Sequence, residues 1–134
     1  SKEQAQARSV LLVESDANLQ ATIREKLHAM GYRVILTADP NRALERYREQ
    51  PTDCVVVDCE TTAKAGLDAF IETENVAKNR KLAWCGVVML TPEQSEWSGR
   101  LTQADNLVVL VKPVTMRQLR DHVKRMVPAA VEQP

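Results

Sequence analysis

The chain has little glycine, few aromatic rings, no excess charge of either sign and no long apolar run. With 4 glycines in 134 residues, and none at the end of the first apolar run, it lacks the glycine-rich cradle that holds phosphates in flavodoxin-like cofactor proteins. Lys plus Arg equal Asp plus Glu at 18 each, so no field of one sign holds nucleic acid or an acidic surface. No stretch approaches the roughly 20 apolar residues of a membrane span, and the opening SKEQAQARS lacks a signal peptide's apolar centre. No membrane contact is expected, and the expected location is cytoplasmic. The three cysteines, Cys54, Cys59 and Cys85, have no CxxC spacing, which argues against zinc and against a disulfide framework. His28 and His122 fall at polar or mixed helical positions without a second ligand at i+4 and read as surface residues.

What is present is a regular alternation. At 44% hydrophobic and 27% charged residues, the chain fits a single domain with a real core. Residues 1–8 read as a polar leader, 9–127 as the domain and 128–134 as a linker or tail. The linker-like end and the absence of an initial Met suggest a piece of a longer protein. Val10 to Val13 is a buried-type strand, and Leu19, Ile23, Leu27 and Met30 recur at helical spacing up to Gly31. Tyr32 to Thr37 is a second strand. Asp39-Pro40 then caps a helix with Ala43, Leu44 and Tyr47 inward, which Gln50-Pro51 ends. Cys54 to Asp58 is the third strand, followed by a polar loop to Gly66 and a helix from Leu67 through Phe70 and Ile71 towards Lys78. Leu82 to Leu90 contains the fourth strand. The box Thr91-Pro92-Glu93-Gln94 predicts a helix with Trp97, Leu101 and Ala104 on one face. Leu107 to Val111 is the fifth strand, and the Thr115/Gln118 box opens a last helix with Leu119, Val123 and Met126 inward.

Strands that read as continuous Val/Leu runs are covered on both faces. The expected architecture is therefore an α/β, (βα)5 flavodoxin-like doubly wound parallel sheet of strand order 2-1-3-4-5. In such a sheet Glu14, Asp58, Thr91 and Lys112, each following an apolar run, share one edge and converge on one pocket. Asp58 has no helix start expected directly after it, which favours a site acid over a cap. Thr91 reads equally as a cap and as a site hydroxyl, and Glu14 equally as a site acid and as a first-turn helix charge. Arg117, Arg120 and Lys124 recur along the last helix as a solvated face or part of a docking surface.

In this order and spacing, LLVESD, VVVD with Gly66 eight residues after Asp58, VVMLT and VKP resemble the response-regulator receiver domain of two-component signalling, from Ser9 to Val127. The resemblance implies a phosphoacceptor signalling domain, not an enzyme in the ordinary sense. Asp58 would take phosphate from a histidine kinase or phosphotransfer protein, with Thr91 as the hydroxyl and Lys112 as the ammonium. Lys112-Pro113 would be the junction that is often cis. The resemblance also implies Mg2+, its ligands drawn from Glu14, Asp16, Asp58 and Glu60, an output domain or separate output partner, and in some members a homodimer. Nucleic-acid contact by this domain is not expected.

The chain departs from the family pattern at several positions. Ser15 stands where the second of two consecutive acids binds the metal directly, and a neutral hydroxyl is a poorer ligand for a hard cation. Val109 stands where an aromatic ring often switches, Thr62 where Pro is frequent and Ala65 where Asp often precedes the glycine, while Glu60 and Glu93 fall where relatives tune hydrolysis. The alternative expectation is a pseudo-receiver, the same fold used as a phosphorylation-independent docking module.

Overall fold

The computed structural model describes residues 7–129. Of the expected leader and tail, only Ala7, Arg8, Pro128 and Ala129 fall within that range. Five parallel strands, β1 (Ser9–Val13), β2 (Arg33–Thr37), β3 (Cys54–Asp58), β4 (Cys85–Leu90) and β5 (Leu107–Val111), form one sheet in the order β2-β1-β3-β4-β5. The fold class is thus the doubly wound one that the Val/Leu runs imply. β1, β3 and β4 are buried along their whole length, whereas β2 and β5, at the sheet edges, are partly exposed.

Helices α1 (Ala17–Ala29) and α4 (Met116–Met126) cover one face with Ile23, Leu27, Leu119 and Val123. α2 (Pro40–Glu49) and α3 (Cys59–Arg80) cover the other with Ala43, Tyr47, Leu67, Phe70 and Ala77. Each fully buried Val, Leu or Phe contributes about 1.5–3 kcal/mol relative to its exposed state, so these two clusters are the main cohesive force. Asp39 and Thr115 cap α2 and α4 as their sequence positions predict, Asp16 caps α1, and the chain leaves α1 through Gly31 at φ 96°. Among the described residues no helix is long and apolar enough to cross a membrane.

Two expected connections differ. The stretch after Asp58 is not an open loop: α3 begins at Cys59, and Asp58 is its N-cap, accepting from the Glu60 amide. The helix is interrupted at Ala63, with φ 59° and ψ −151°, where Thr62 donates its hydroxyl back to the Asp58 carbonyl at 2.7 Å. That fold-back needs Gly66, because a Cβ there would stand 1.8 Å from Thr62 Oγ1. The helix expected over Trp97, Leu101 and Ala104 is instead a 3-10 helix, Pro92–Arg100, with no buried residue. Trp97 is the single large apolar side chain in PEQSEWSGR, and Ser95, Ser98 and Gly99 are weak helix formers, so an α-helix there has no stripe to bury. Trp97 and Leu101 pack only at the margin of the cluster beneath α2 and α3.

Candidate functional site

Asp58 ends β3, opposite Met89 of β4, and its side chain is fully buried. Its Oδ1 accepts from the Glu60 amide at 3.0 Å, and its Oδ2 accepts from Lys112 Nζ at 2.9 Å. Lys112 is fixed at the end of β5 by its own amide, which donates to the Leu90 carbonyl at 2.8 Å, and its ammonium also donates to Glu60 Oε1 at 2.7 Å. Glu60 therefore closes over the Asp58–Lys112 pair from the solvent side. Burial alone pulls the Lys112 ammonium down, but its bonds to Glu60 and Asp58, and their charges, outweigh that and leave it above its ordinary value. The ion pair stays formed across the neutral range.

Glu14, directly after β1, is also fully buried. Its Oε2 accepts from the Thr61 hydroxyl and from the Asp16 amide, while Oε1 has no donor and its carboxyl lies against that of Asp58. Burial, followed by the hydrogen bond and charge of Asp58, raises Glu14 to about 7 in spite of Thr61 and the Asp16 amide. Near neutral pH this side chain therefore carries a proton much of the time, which lets it donate towards Asp58.

The other expected residues take separate places. Asp16 does not join the cluster, because its Oδ1 accepts from the Leu19 amide at 2.9 Å as the N-cap of α1. The Ser15 hydroxyl points away, donating to the Ala38 carbonyl at 2.8 Å. Thr91 accepts from the Gln94 amide at 3.1 Å in a complete capping box and makes no hydrogen bond to Asp58. Thr61, which the sequence did not point to, and Gln94, expected only as half of a capping box, hold the site together. Thr61 anchors Glu14, and Gln94 ties the 3-10 helix to the start of α3 by donating to the Cys59 carbonyl at 2.9 Å. Neither bond has a signal in the sequence, since each is made to a neighbour that only folding supplies.

The donor set does not fit Mg2+, which takes about six oxygens in near-octahedral geometry. Of the expected ligands, Asp58 and Glu60 share the single ammonium of Lys112, Glu14 is raised to about 7 by burial and by Asp58, and Asp16 is a cap. Among the described residues no group of three or more His, Cys, Asp or Glu side chains is placed to hold a metal ion. A cavity of about 50 Å³ beside Asp58 and Lys112 adds little, because its remaining walls are apolar apart from Thr115. The set Glu14, Asp16, Asp58 and Glu60 is therefore not assembled as one ligand group.

A parallel sheet wound in this order, with acids ending β1 and β3 and an ammonium ending β5, has the frame of a receiver. The sequence profile described as response regulator receiver domain matches residues 10–124, and the chain belongs to that family. Solved structures agree on the fold. A response regulator receiver protein from Sinorhizobium medicae WSM419 superposes with a TM-score of 0.77 at 21% identity, covering 91% of this chain and 95% of its own. The receiver domain of a sensor histidine kinase from Pseudomonas aeruginosa PAO1, with magnesium in its active-site cleft, gives 0.72 at 24% identity, covering 89% and 96%. A chemotaxis response regulator of Vibrio cholerae gives 0.70 at 20% identity, covering 90% and 98%. No curated protein matches the chain.

Proposed function

We propose that this receiver domain works as a docking module whose Asp58 is held by the fold instead of being phosphorylated. The observation that carries the reading is the complete engagement of a fully buried Asp58, one oxygen on the Glu60 amide and the other on Lys112, with the Glu14 carboxyl against it. A carboxylate that is to attack a phosphoryl group must reach it in line, which here requires freeing one of its two oxygens, from the Glu60 amide or from Lys112. The acyl phosphate would then carry about two negative charges where the carboxylate carried one, beside Glu14 and Glu60, with Lys112 as the cation bonded there. Ser15 supplies no compensating metal ligand, since its hydroxyl is bound to Ala38. In this reading a partner protein, or an output domain of a longer chain, recognises the domain's surface in a single state.

One observation favours the second reading, phosphotransfer from a histidine kinase to Asp58. Lys112 stands 2.9 Å from Asp58 Oδ2, where an ammonium would stabilise phosphoryl oxygens during transfer. Incubation with acetyl phosphate, with and without Mg2+, followed by intact mass and with Asp58→Asn as control, separates the two. The docking reading expects no added phosphoryl group in the folded protein. A Mg2+-dependent adduct missing from the control would establish phosphotransfer instead.

A further inference from the structure

At the opposite edge of the sheet lies a second cluster of reactive groups that the Asp58 site does not use. Cys54 and Cys85 are far apart in the chain, yet they are the first residues of β3 and β4 and Cα partners in the parallel register. Strands pair roughly 4.8 Å apart and disulfides span Cα separations of roughly 4.4–6.8 Å, so register partners already meet the backbone requirement. Both side chains belong to the same cluster as Tyr32, Val56 and Val87, so the two thiols lie on the same face of the sheet on adjacent strands. The third thiol, Cys59, is in the cluster on the other face and does not compete.

All three cysteines are free in this structure. Cys85 is 5% exposed and Cys54 is 0% exposed, so Cys85 is the one that a small oxidant meets first. The neighbouring Cys54 thiol lowers Cys85 against its own burial and the Asp53 carboxylate, and the Arg125 guanidinium adds a smaller lowering.

We propose that Cys54 and Cys85 form a dithiol that a hydroperoxide oxidises reversibly to an intrachain disulfide, a modification site at the amino edge of the sheet. In the first step the Cys85 thiolate attacks one peroxide oxygen. The S–O bond forms, the O–O bond breaks and the leaving alkoxide or hydroxide takes up the proton that Cys85 released, giving a sulfenic acid. In the second step Cys54 Sγ attacks Cys85 Sγ. The S–S bond forms, the S–O bond breaks, and hydroxide leaves as water with the Cys54 proton. The two sulfurs together lose two electrons and the peroxide gains them. Side chains of parallel register partners project side by side, so the strands have to pinch slightly to close the bond, and a strained disulfide is the readily reduced kind. Reversal then needs only a thiol reductant.

The test treats the folded protein with hydrogen peroxide, then denatures it and alkylates the remaining thiols before intact mass and peptide mapping. The expected result is two thiols lost together, a mass lower by two hydrogens before alkylation, a linked pair of Cys54 and Cys85 peptides, and full recovery with dithiothreitol. In Cys54→Ser the reaction should stop at a sulfenic acid on Cys85 that dimedone traps, and Cys54→Ala repeats this if the serine variant does not fold. All three thiols remaining alkylatable, a bond to Cys59 or a bond between two chains would overturn the proposal.

Discussion

Two ion pairs of the same length sit in different parts of this molecule. Lys112–Asp58 and Arg100–Asp68 are each 2.9 Å long, but the side chains are 18% and 0% exposed in the first and 46% and 57% exposed in the second. The first ties β5 to β3 at the carboxyl edge of the sheet, and the second pins the 3-10 helix to the outside of α3. Distance therefore does not rank them, and burial does. A buried carboxylate stripped of its ammonium is a desolvated charge, whereas an exposed one is rehydrated.

The largest expected effect breaks the buried pair. Lys112→Ala should cost about 3 kcal/mol in urea unfolding, because it leaves Asp58 buried with only the Glu60 amide. A cost near zero would mean that Asp58 escapes to solvent, and the two pairs would then be alike.

The next effect sharpens the contrast through pH. Glu14 is raised from 4.5 to about 7 in the folded state, so the folded protein binds the proton more tightly than the unfolded chain. The associated stability is fully present below about pH 4.5 and is lost as pH rises through about 7. The loss should be about 3 kcal/mol, visible as a slope in urea midpoints across that window. Glu14→Gln should flatten the slope, and an unchanged slope would place its origin elsewhere.

A smaller gain is expected where α3 folds back over the site. Ala63 at φ 59° and ψ −151° occupies backbone space that glycine alone enters without strain. Ala63→Gly should stabilise the protein by about 1 kcal/mol in the same assay. A loss instead would mean that glycine's extra freedom in the unfolded chain outweighs the relief. Smallest of all, Arg100→Ala should change stability by less than about 0.5 kcal/mol. If it costs as much as Lys112→Ala, burial is not what separates the two pairs.

The parts of the fold that rest on periodicity were legible from the chain. The Val/Leu runs, the Asp39-Pro40 cap and the Thr115/Gln118 box led to the sheet order and to helices that the structure contains. What escaped were features in which side chains answer to distant partners. A capping box was readable at Thr91, but the α-helix expected after it shrank to a 3-10 helix, because Trp97 alone could not supply a buried face. The turn after Asp58 looked like a loop because Gly66 and the short polar residues hide the Thr62 hydroxyl bond that folds it back into helix. Glu14, Asp58 and Lys112 do meet, as strand ends in this topology must, but the presence of Glu60 as Lys112's second partner and of Asp16 as a cap depends on rotamers. The same limit hid Cys54 and Cys85, whose proximity is a matter of strand register and not of spacing along the chain.

At the carboxyl edge Asp58 is held by Lys112 and the Glu60 amide, and among the described residues no ligand set for Mg2+ is assembled. A titration of the 15N-labelled protein with millimolar Mg2+ at neutral pH, following the amides of Glu14, Asp58, Glu60 and Lys112, tests this most directly. No saturable shift is expected at these amides. A saturable shift confined to them, and abolished by Asp58→Asn, would contradict it and return Asp58 to the role of a metal-assisted phosphoacceptor.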